Sequence, residues 1–190
     1  MKKTILTILL VVFAALRLSA CGIGGDRQDE PGEMQIMGVM SQWPWFDSFE
    51  QLANRAVHVL QIRVLDERVE WASSFAEHHA PRTIFRIEIL EVFYGWTNPG
   101  DIMELYQSGG QIDNTKLINH DWVYMQTGDE LIIFALHAYE RDYMPLVFIT
   151  PAQSAYRLNP DSNLLQSLCA TNPLQITLSD LQNLANASRE

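Results

Sequence analysis

Alternating apolar and polar residues between Val57 and about Leu158 constrain this chain more than any other feature of its sequence. In residues 57–64 and 83–94, apolar side chains recur at every second position, which is the period of a β-strand and not of a helix. Glycine, asparagine, aspartate and proline separate such runs at short spacing, as turns between antiparallel strands require. The pattern therefore predicts a mainly β domain.

Six strands are predicted, or seven if a weaker candidate at residues 122–125 is counted. The six cover residues 57–64, 83–94, 102–106, 130–136, 145–150 and 155–158. Short helices should flank them, one over residues 49–56 capped by Asp47 or Ser48, and a C-terminal one capped by Thr177. Because antiparallel strands remove exposed edges by closing on themselves, we expect a small antiparallel barrel, with a sandwich of the same strands as the alternative.

The first 21 residues have the features of an export signal. Lys2 and Lys3 form a positive segment, residues 4–16 are apolar, and the sequence LSAC ends at Cys21. This order resembles the lipobox of bacterial lipoproteins, in which the cysteine thiol receives a diacylglycerol and the cysteine becomes the new N-terminus. The resemblance implies a lipoprotein signal peptide and acylation of Cys21 by fatty acids such as palmitate. A transmembrane anchor is disfavoured, because the apolar run is short for about 30 Å of hydrocarbon.

These features predict the organisation of the chain. We expect a signal peptide over residues 1–20, a flexible tether over 21–42 and a single β-barrel domain with a C-terminal helix over 43–190. The protein would be anchored to the lipid bilayer of the bacterial cell envelope through acylated Cys21, with its domain on the extracytoplasmic side. The formal charge is −10, and acids outnumber bases further once residues 1–20 are removed. A nucleic-acid partner is therefore disfavoured, because such partners are bound largely by Lys and Arg.

The order of helix, strands and turns also resembles a known domain. The matching segments are SFEQL at 48–52, HVLQIRV at 58–64, FRIEILEVFYG at 85–95, PGDI at 99–102, GG at 109–110 and GDELIIF at 128–134. Together they are similar to a recurrent domain of secreted bacterial proteins of unknown function and to the OB-fold barrel of netrin-like modules in tissue inhibitors of metalloproteinases. The likeness implies a small antiparallel OB-like barrel of six or seven strands, and not the inhibitory mechanism, which depends on a free N-terminal cysteine and on disulfides.

Catalytic signatures are not apparent in the sequence. There is no GxSxG, SxxK or HExxH motif, and a solvated loop is favoured over a metal site at His78 and His79. His58 and His137 lie in or beside predicted strands, where a hydrogen-bonded interior or edge histidine is expected. Cys169, the one thiol left after acylation of Cys21, lies in an apolar context typical of a buried residue. We therefore expect no enzyme activity, no metal and no cofactor.

Aromatic residues near predicted strand ends are the remaining candidates for a site. Trp71, Tyr94, Trp96 and Trp122 are the candidate ligand-binding residues, because large rings are favoured at interfaces. The alternative is that these rings cover the barrel ends. The sequence thus predicts a lipid-tethered, non-catalytic binding or interaction module whose ligand is an envelope protein, a peptide or a saccharide. An accessory structural subunit of an envelope complex is the first alternative, and an envelope enzyme with an unrecognised site is the second.

Overall fold

The computed structural model describes residues 34–39, 43–72, 80–119, 123–138, 145–159 and 162–188. These residues form a mainly β protein of ten strands and two short helices. Cys21, His78, His79, His120 and Trp122 lie outside the described residues. The predictions made for them therefore remain predictions.

The helices and strands follow one another from Gln35 to Ala187. They are β1 (Gln35–Val39), α1 (Phe49–Arg55), β2 (His58–Trp71), β3 (Pro81–Tyr94), β4 (Ile102–Ser108), β5 (Gly110–Ile112), β6 (Thr115–Asn119), β7 (Glu130–His137), β8 (Leu146–Phe148), β9 (Ala155–Leu158), β10 (Leu165–Ser167) and α2 (Leu178–Ala187). All six firm strand predictions correspond to observed strands, and both helices are confirmed.

Seven strands form one large sheet in the order β10-β9-β7-β2-β3-β4-β8, and β8 also pairs with β7. The strands β7, β2, β3, β4 and β8 are thus linked in a ring. The ring is not evenly closed, because β2 and β3 pair along most of their length whereas β4 and β8 share only two residue pairs. The β4–β8 pairing is parallel, which departs from the antiparallel set predicted.

The alternation along β2 divides the apolar core into two clusters. Leu60, Ile62 and Val64 belong to one cluster, together with Phe85 and other residues of the strand ring. Val59 points the opposite way, into a second cluster that also contains residues of α1 and α2. The helices therefore cover one face of the sheet while the other face is buried between strands, as the period-two pattern predicts for a strand apolar on both faces.

Both helices begin at the predicted caps. The Ser48 hydroxyl accepts a hydrogen bond from the backbone N–H of Gln51 at 3.3 Å, at the start of α1. At the start of α2, Thr177 and Asp180 form a reciprocal capping box. Side-chain caps of this kind satisfy backbone N–H groups that have no partner inside the helix.

A smaller sheet has the order β1-β6-β5, with β1 parallel to β6. Its strand β1 falls inside the range 21–42 predicted as a tether, and the compact unit begins at Met34. The polar composition on which the tether prediction rests ends at Gly32, and the apolar residues that follow pair with a strand far along the chain. Such a long-range parallel pairing leaves no local sequence pattern.

Candidate functional site

The described candidate rings do not form a single surface. Trp71 ends β2 and pairs with Pro81, whereas Tyr94 ends β3 and pairs with Val59. These positions are the two ends of a hairpin of 14-residue strands, which at about 3.3 Å per residue span roughly 40 Å. Trp96 lies beyond Tyr94, and Trp122 is outside the described residues. Trp71 and the Tyr94–Trp96 pair therefore cannot bind one small ligand together.

A cleft of about 370 Å³, here called the Tyr124 cleft, lies beside the smaller sheet. Its lining includes the buried apolar residues Phe85, Leu117 and Met125. Tyr124 borders it with a side chain that is 82% exposed. Other polar lining residues are Glu67, Gln111, Lys116, Asn119 and Gln126. The arrangement of an apolar floor, an exposed ring and polar groups is typical of a small-ligand site.

One buried amide positions the segment that carries Tyr124. Gln107 on β4 donates from Nε2 to the carbonyl of Val123 at 3.1 Å and accepts from the N–H of Val123 at 3.0 Å. Residues 123–126 are consequently not a strand, and the weak strand prediction at 122–125 is wrong over its described part. A side chain takes the hydrogen bonds that a neighbouring strand would otherwise make.

A second cleft of about 250 Å³, here called the Trp43 cleft, has mainly apolar walls. Trp43, Tyr106 and Phe148 line it, together with Pro81 and Pro151. The guanidinium of Arg82 lies over the Tyr106 ring, 4.3 Å from its centroid, and is ion-paired with Glu70 at 2.6 Å. A partly exposed tryptophan, a tyrosine and a fixed cation therefore share this cleft.

The segment leading from Trp43 is fixed by a buried glutamine. Gln153 accepts from the N–H of Phe46 and donates to its carbonyl, both at 2.9 Å. Asn119, at the end of β6, borders both the Trp43 cleft and the Tyr124 cleft. The two clefts therefore share one buried residue of their walls.

Sequence reasoning did not place Tyr124, Tyr106 or Trp43 among the candidate ligand-binding residues. Tyr124 lies in a stretch that alternates weakly, so its exposure depends on the Gln107 contact and not on a local pattern. Tyr106 occupies an ordinary strand position and enters the cleft through its contact with Arg82. Only Trp43 had a sequence signal that could have identified it, the Trp-Pro-Trp sequence at 43–45, which is too aromatic for a tether.

A second arrangement, the histidine pair, joins His58 on β2 to His137 on β7. The Nε2 atoms of the two rings lie 3.0 Å apart, and His58 is fully buried. The expectation that these histidines are hydrogen-bonded within the sheet is thus confirmed. Trp96 stacks on the His137 ring at 5.4 Å between centroids, although its side chain is 69% exposed. Trp96 therefore covers the histidine pair instead of projecting alone into solvent.

Protonation of His58 is disfavoured at neutral pH. Burial, together with the neighbouring His137, lowers the pKa of His58 to about 4, from an ordinary value of 6.5. His58 Nδ1 has no hydrogen-bond partner among the described residues. His58 is therefore a neutral imidazole in the folded protein, and the hydrogen bond between the two Nε2 atoms uses a single proton.

The free energy of unfolding should decrease as pH falls from 6.5 towards 4, because of His58. Between pH 6.5 and about 4 the unfolded chain binds a proton at this residue and the folded chain does not, so stability is complete above 6.5 and is lost as pH falls towards 4. The expected loss is about 3 kcal/mol. Urea unfolding at pH 7, 5.5 and 4 measures it, with His58→Gln as the non-titrating control. An equal decline in both proteins would contradict the assignment.

The remaining described groups include no cluster of three or more His, Cys, Asp or Glu side chains able to hold a metal ion.

Cys169 is partly exposed and not buried as expected, with its Sγ 3.2 Å from the Thr171 hydroxyl. It lies in the turn after β10, where the apolar neighbours counted in the sequence do not enclose it. Neither described helix is long and apolar enough to cross a bilayer.

Comparison with known proteins gives no family for this chain. No protein-family model matches it, and no curated protein shows significant sequence similarity to it.

Proposed function

We propose that this chain is a lipid-anchored lipoprotein of the bacterial cell envelope whose domain is a non-catalytic binding module on the extracytoplasmic side. The anchor rests on the N-terminal segment, where a positive start, an apolar run and LSAC at 18–21 occur in the order of a lipobox. The proposal that the domain is non-catalytic rests on the sequence, which carries no familiar nucleophile or metal motif.

We also propose that the fold is an OB-like barrel. The OB-fold is a five-stranded and partly open barrel. Support comes from the five strands β7, β2, β3, β4 and β8, which are linked in a ring by their pairings. The short parallel β4–β8 contact would be the partly open side of that barrel.

The observation that carries the binding proposal is the presence of two clefts with aromatic walls. Each has a partly or largely exposed aromatic ring, Trp43 in one and Tyr124 in the other, and Asn119 borders both. Rings of this kind bind the apolar faces of sugars and amino-acid side chains, while amides and charges bind their polar groups. An envelope ligand built of sugars or of short peptides fits this chemistry best.

Replacing Trp43 or Tyr124 by alanine should weaken binding of soluble peptidoglycan fragments at least about fivefold, because a stacked ring contributes roughly 1 kcal/mol beyond the area it buries. Calorimetric titration of the full chain in detergent measures the effect. Trp96→Ala is the matched control, since Trp96 is exposed and lines neither cleft. Loss of binding in the control alone would place the ligand at the other end of the hairpin.

One observation favours the accessory-subunit alternative. Strand β1 is an edge of the smaller sheet, and no described strand pairs with its outer side. Its Ile36 is 65% exposed, and Met34 just before it is also exposed. An apolar edge strand is a surface to which a partner protein can add a strand of its own.

A further inference from the structure

We propose that the Tyr124 cleft binds a short peptide with free termini, its ammonium group at Glu67 and its carboxylate at Lys116. The inference rests on the proposed function, because it names the ligand class for one of the two clefts. Of the sugars and peptides that suit aromatic walls, it selects peptides for this cleft.

Two opposite charges border the Tyr124 cleft without described partners. Lys116 and Glu67 both line the cleft and are both exposed. Neither forms an ion pair with another described residue, whereas most of the described arginines do, namely Arg63, Arg68, Arg82, Arg86 and Arg157. A ligand with one positive and one negative group can therefore make a charge-assisted hydrogen bond to each of them.

The strand pairings place the two charges beside the apolar floor of the cleft. Glu67 on β2 pairs directly with Phe85 on β3, so the two side chains leave the same face of the sheet. Lys116 lies on β6, which pairs with β5. In β5, a Cβ atom at Gly110 would lie 2.6 Å from Cγ1 of Val69 on β2. This close contact holds β5, and with it β6, against the strand that carries Glu67.

Strand β6 also presents an edge to the cleft. Its pairing with β5 covers residues 115–117, whereas its pairing with β1 continues to Asn119. Ile118 lines the cleft, and no described strand pairs with it on the side of β5. An extended peptide can continue β5 along this edge, because its backbone repeats the N–H and C=O groups that a strand pairs with. A saccharide has no such repeat.

The size and floor of the cleft indicate which peptides fit. Its volume of about 370 Å³ is near the lower end of the roughly 300–1,000 Å³ found for small-ligand pockets. An extended tripeptide spans about 10 Å, at about 3.3 Å per residue. The buried residues Phe85, Leu117 and Met125 suit an apolar side chain, over which the exposed Tyr124 ring can pack. We therefore expect a dipeptide or tripeptide with an apolar residue.

Calorimetric titration of the full chain in detergent with the tripeptide Ala-Leu-Ala tests the proposal. The N-acetylated and the C-amidated forms of this peptide each lack one charge, and tetra-N-acetylchitotetraose represents the sugars. We expect one free peptide to bind per chain. Each modified peptide should bind at least about fivefold more weakly, because it loses one charge-assisted hydrogen bond. The saccharide should bind more weakly than any of the peptides.

Two charge variants assign the ends of the peptide. Lys116→Met should weaken binding of the free peptide about fivefold and leave binding of the C-amidated peptide unchanged, because that peptide has no carboxylate to lose. Glu67→Gln should have the same effects on the free and the N-acetylated peptides. Arg55→Gln and Glu91→Gln are the matched controls, since both residues are exposed and line neither cleft. Both should bind the free peptide like the unaltered chain.

The results also separate this ligand class from the proposed function. Equal affinity for the free and modified peptides, or equal losses in the charge variants and their controls, would overturn the roles of Lys116 and Glu67. Tighter binding of the saccharide, lost in Tyr124→Ala, would overturn the choice of a peptide and leave the binding module in place. Failure of peptide, saccharide and peptidoglycan fragments alike to bind would contradict both proposals.

Discussion

Gly95→Ala should destabilise the domain by about 3 kcal/mol or more, from backbone strain and steric overlap combined. Gly95 has φ +120°, a conformation that residues with a side chain rarely adopt. A Cβ atom at this position would lie 2.1 Å from His58 Nδ1, and the fully buried His58 ring has little room to move. Urea unfolding at pH 7 measures the loss.

Two comparisons of unfolding free energies separate the effect of backbone strain from that of steric overlap with His58. Gly128 has φ +92° and open space where a Cβ would lie, so Gly128→Ala should cost only about 1 kcal/mol. Combining Gly95→Ala with His58→Ala should cost less than the two single losses added together, because the overlap is then gone. If the two glycine variants lose equal stability, or if the losses at 95 and 58 simply add, the contact with His58 is not the cause.

Cys21→Ser should abolish incorporation of labelled palmitate into the chain. The thiol of Cys21 is the group that receives the lipid in the proposed anchor, and a hydroxyl cannot replace it in that reaction. In the proposed anchor each buried methylene of the acyl chains would contribute about 0.8 kcal/mol to membrane attachment. Labelling in growing cells measures the effect.

Cys169→Ser is the matched control, because Cys169 is the only other cysteine in the chain. It should keep full labelling. Palmitate on the Cys21→Ser protein, or its loss from the Cys169→Ser protein, would contradict the lipobox assignment.

The sequence predicts strands best where one side chain in two is buried. In β2 the residues Leu60 and Ile62 join one core cluster and Val59 joins the other, as the alternation requires. The sequence does not reveal that β2 continues to Trp71, because its outer half is polar. That half is paired across strands by ion pairs such as Arg86 with Asp66 and Arg82 with Glu70. This extension of β2 places Trp71 far from Trp96. Since the sequence does not reveal the extension, it could not show that the two rings lie at opposite ends of the hairpin.

The two clefts depend on contacts that the sequence does not encode locally. The exposure of Tyr124 depends on Gln107, and the position of Trp43 depends on Gln153, which lies more than 100 residues away. A buried glutamine clamping a distant backbone segment leaves no periodic signal. The histidine pair is similar, because its two members are 79 residues apart and come together only when β2 pairs with β7.

The most direct test of the binding-module proposal combines two readouts on one sample. The full chain in detergent is mixed with soluble peptidoglycan fragments, its melting temperature is measured, and the fragments are then analysed by mass spectrometry. A ligand that binds only the folded state must raise the melting temperature. We predict a higher melting temperature and intact fragments. An unchanged melting temperature would contradict binding of this ligand class, and cleaved fragments would show that the domain is an enzyme.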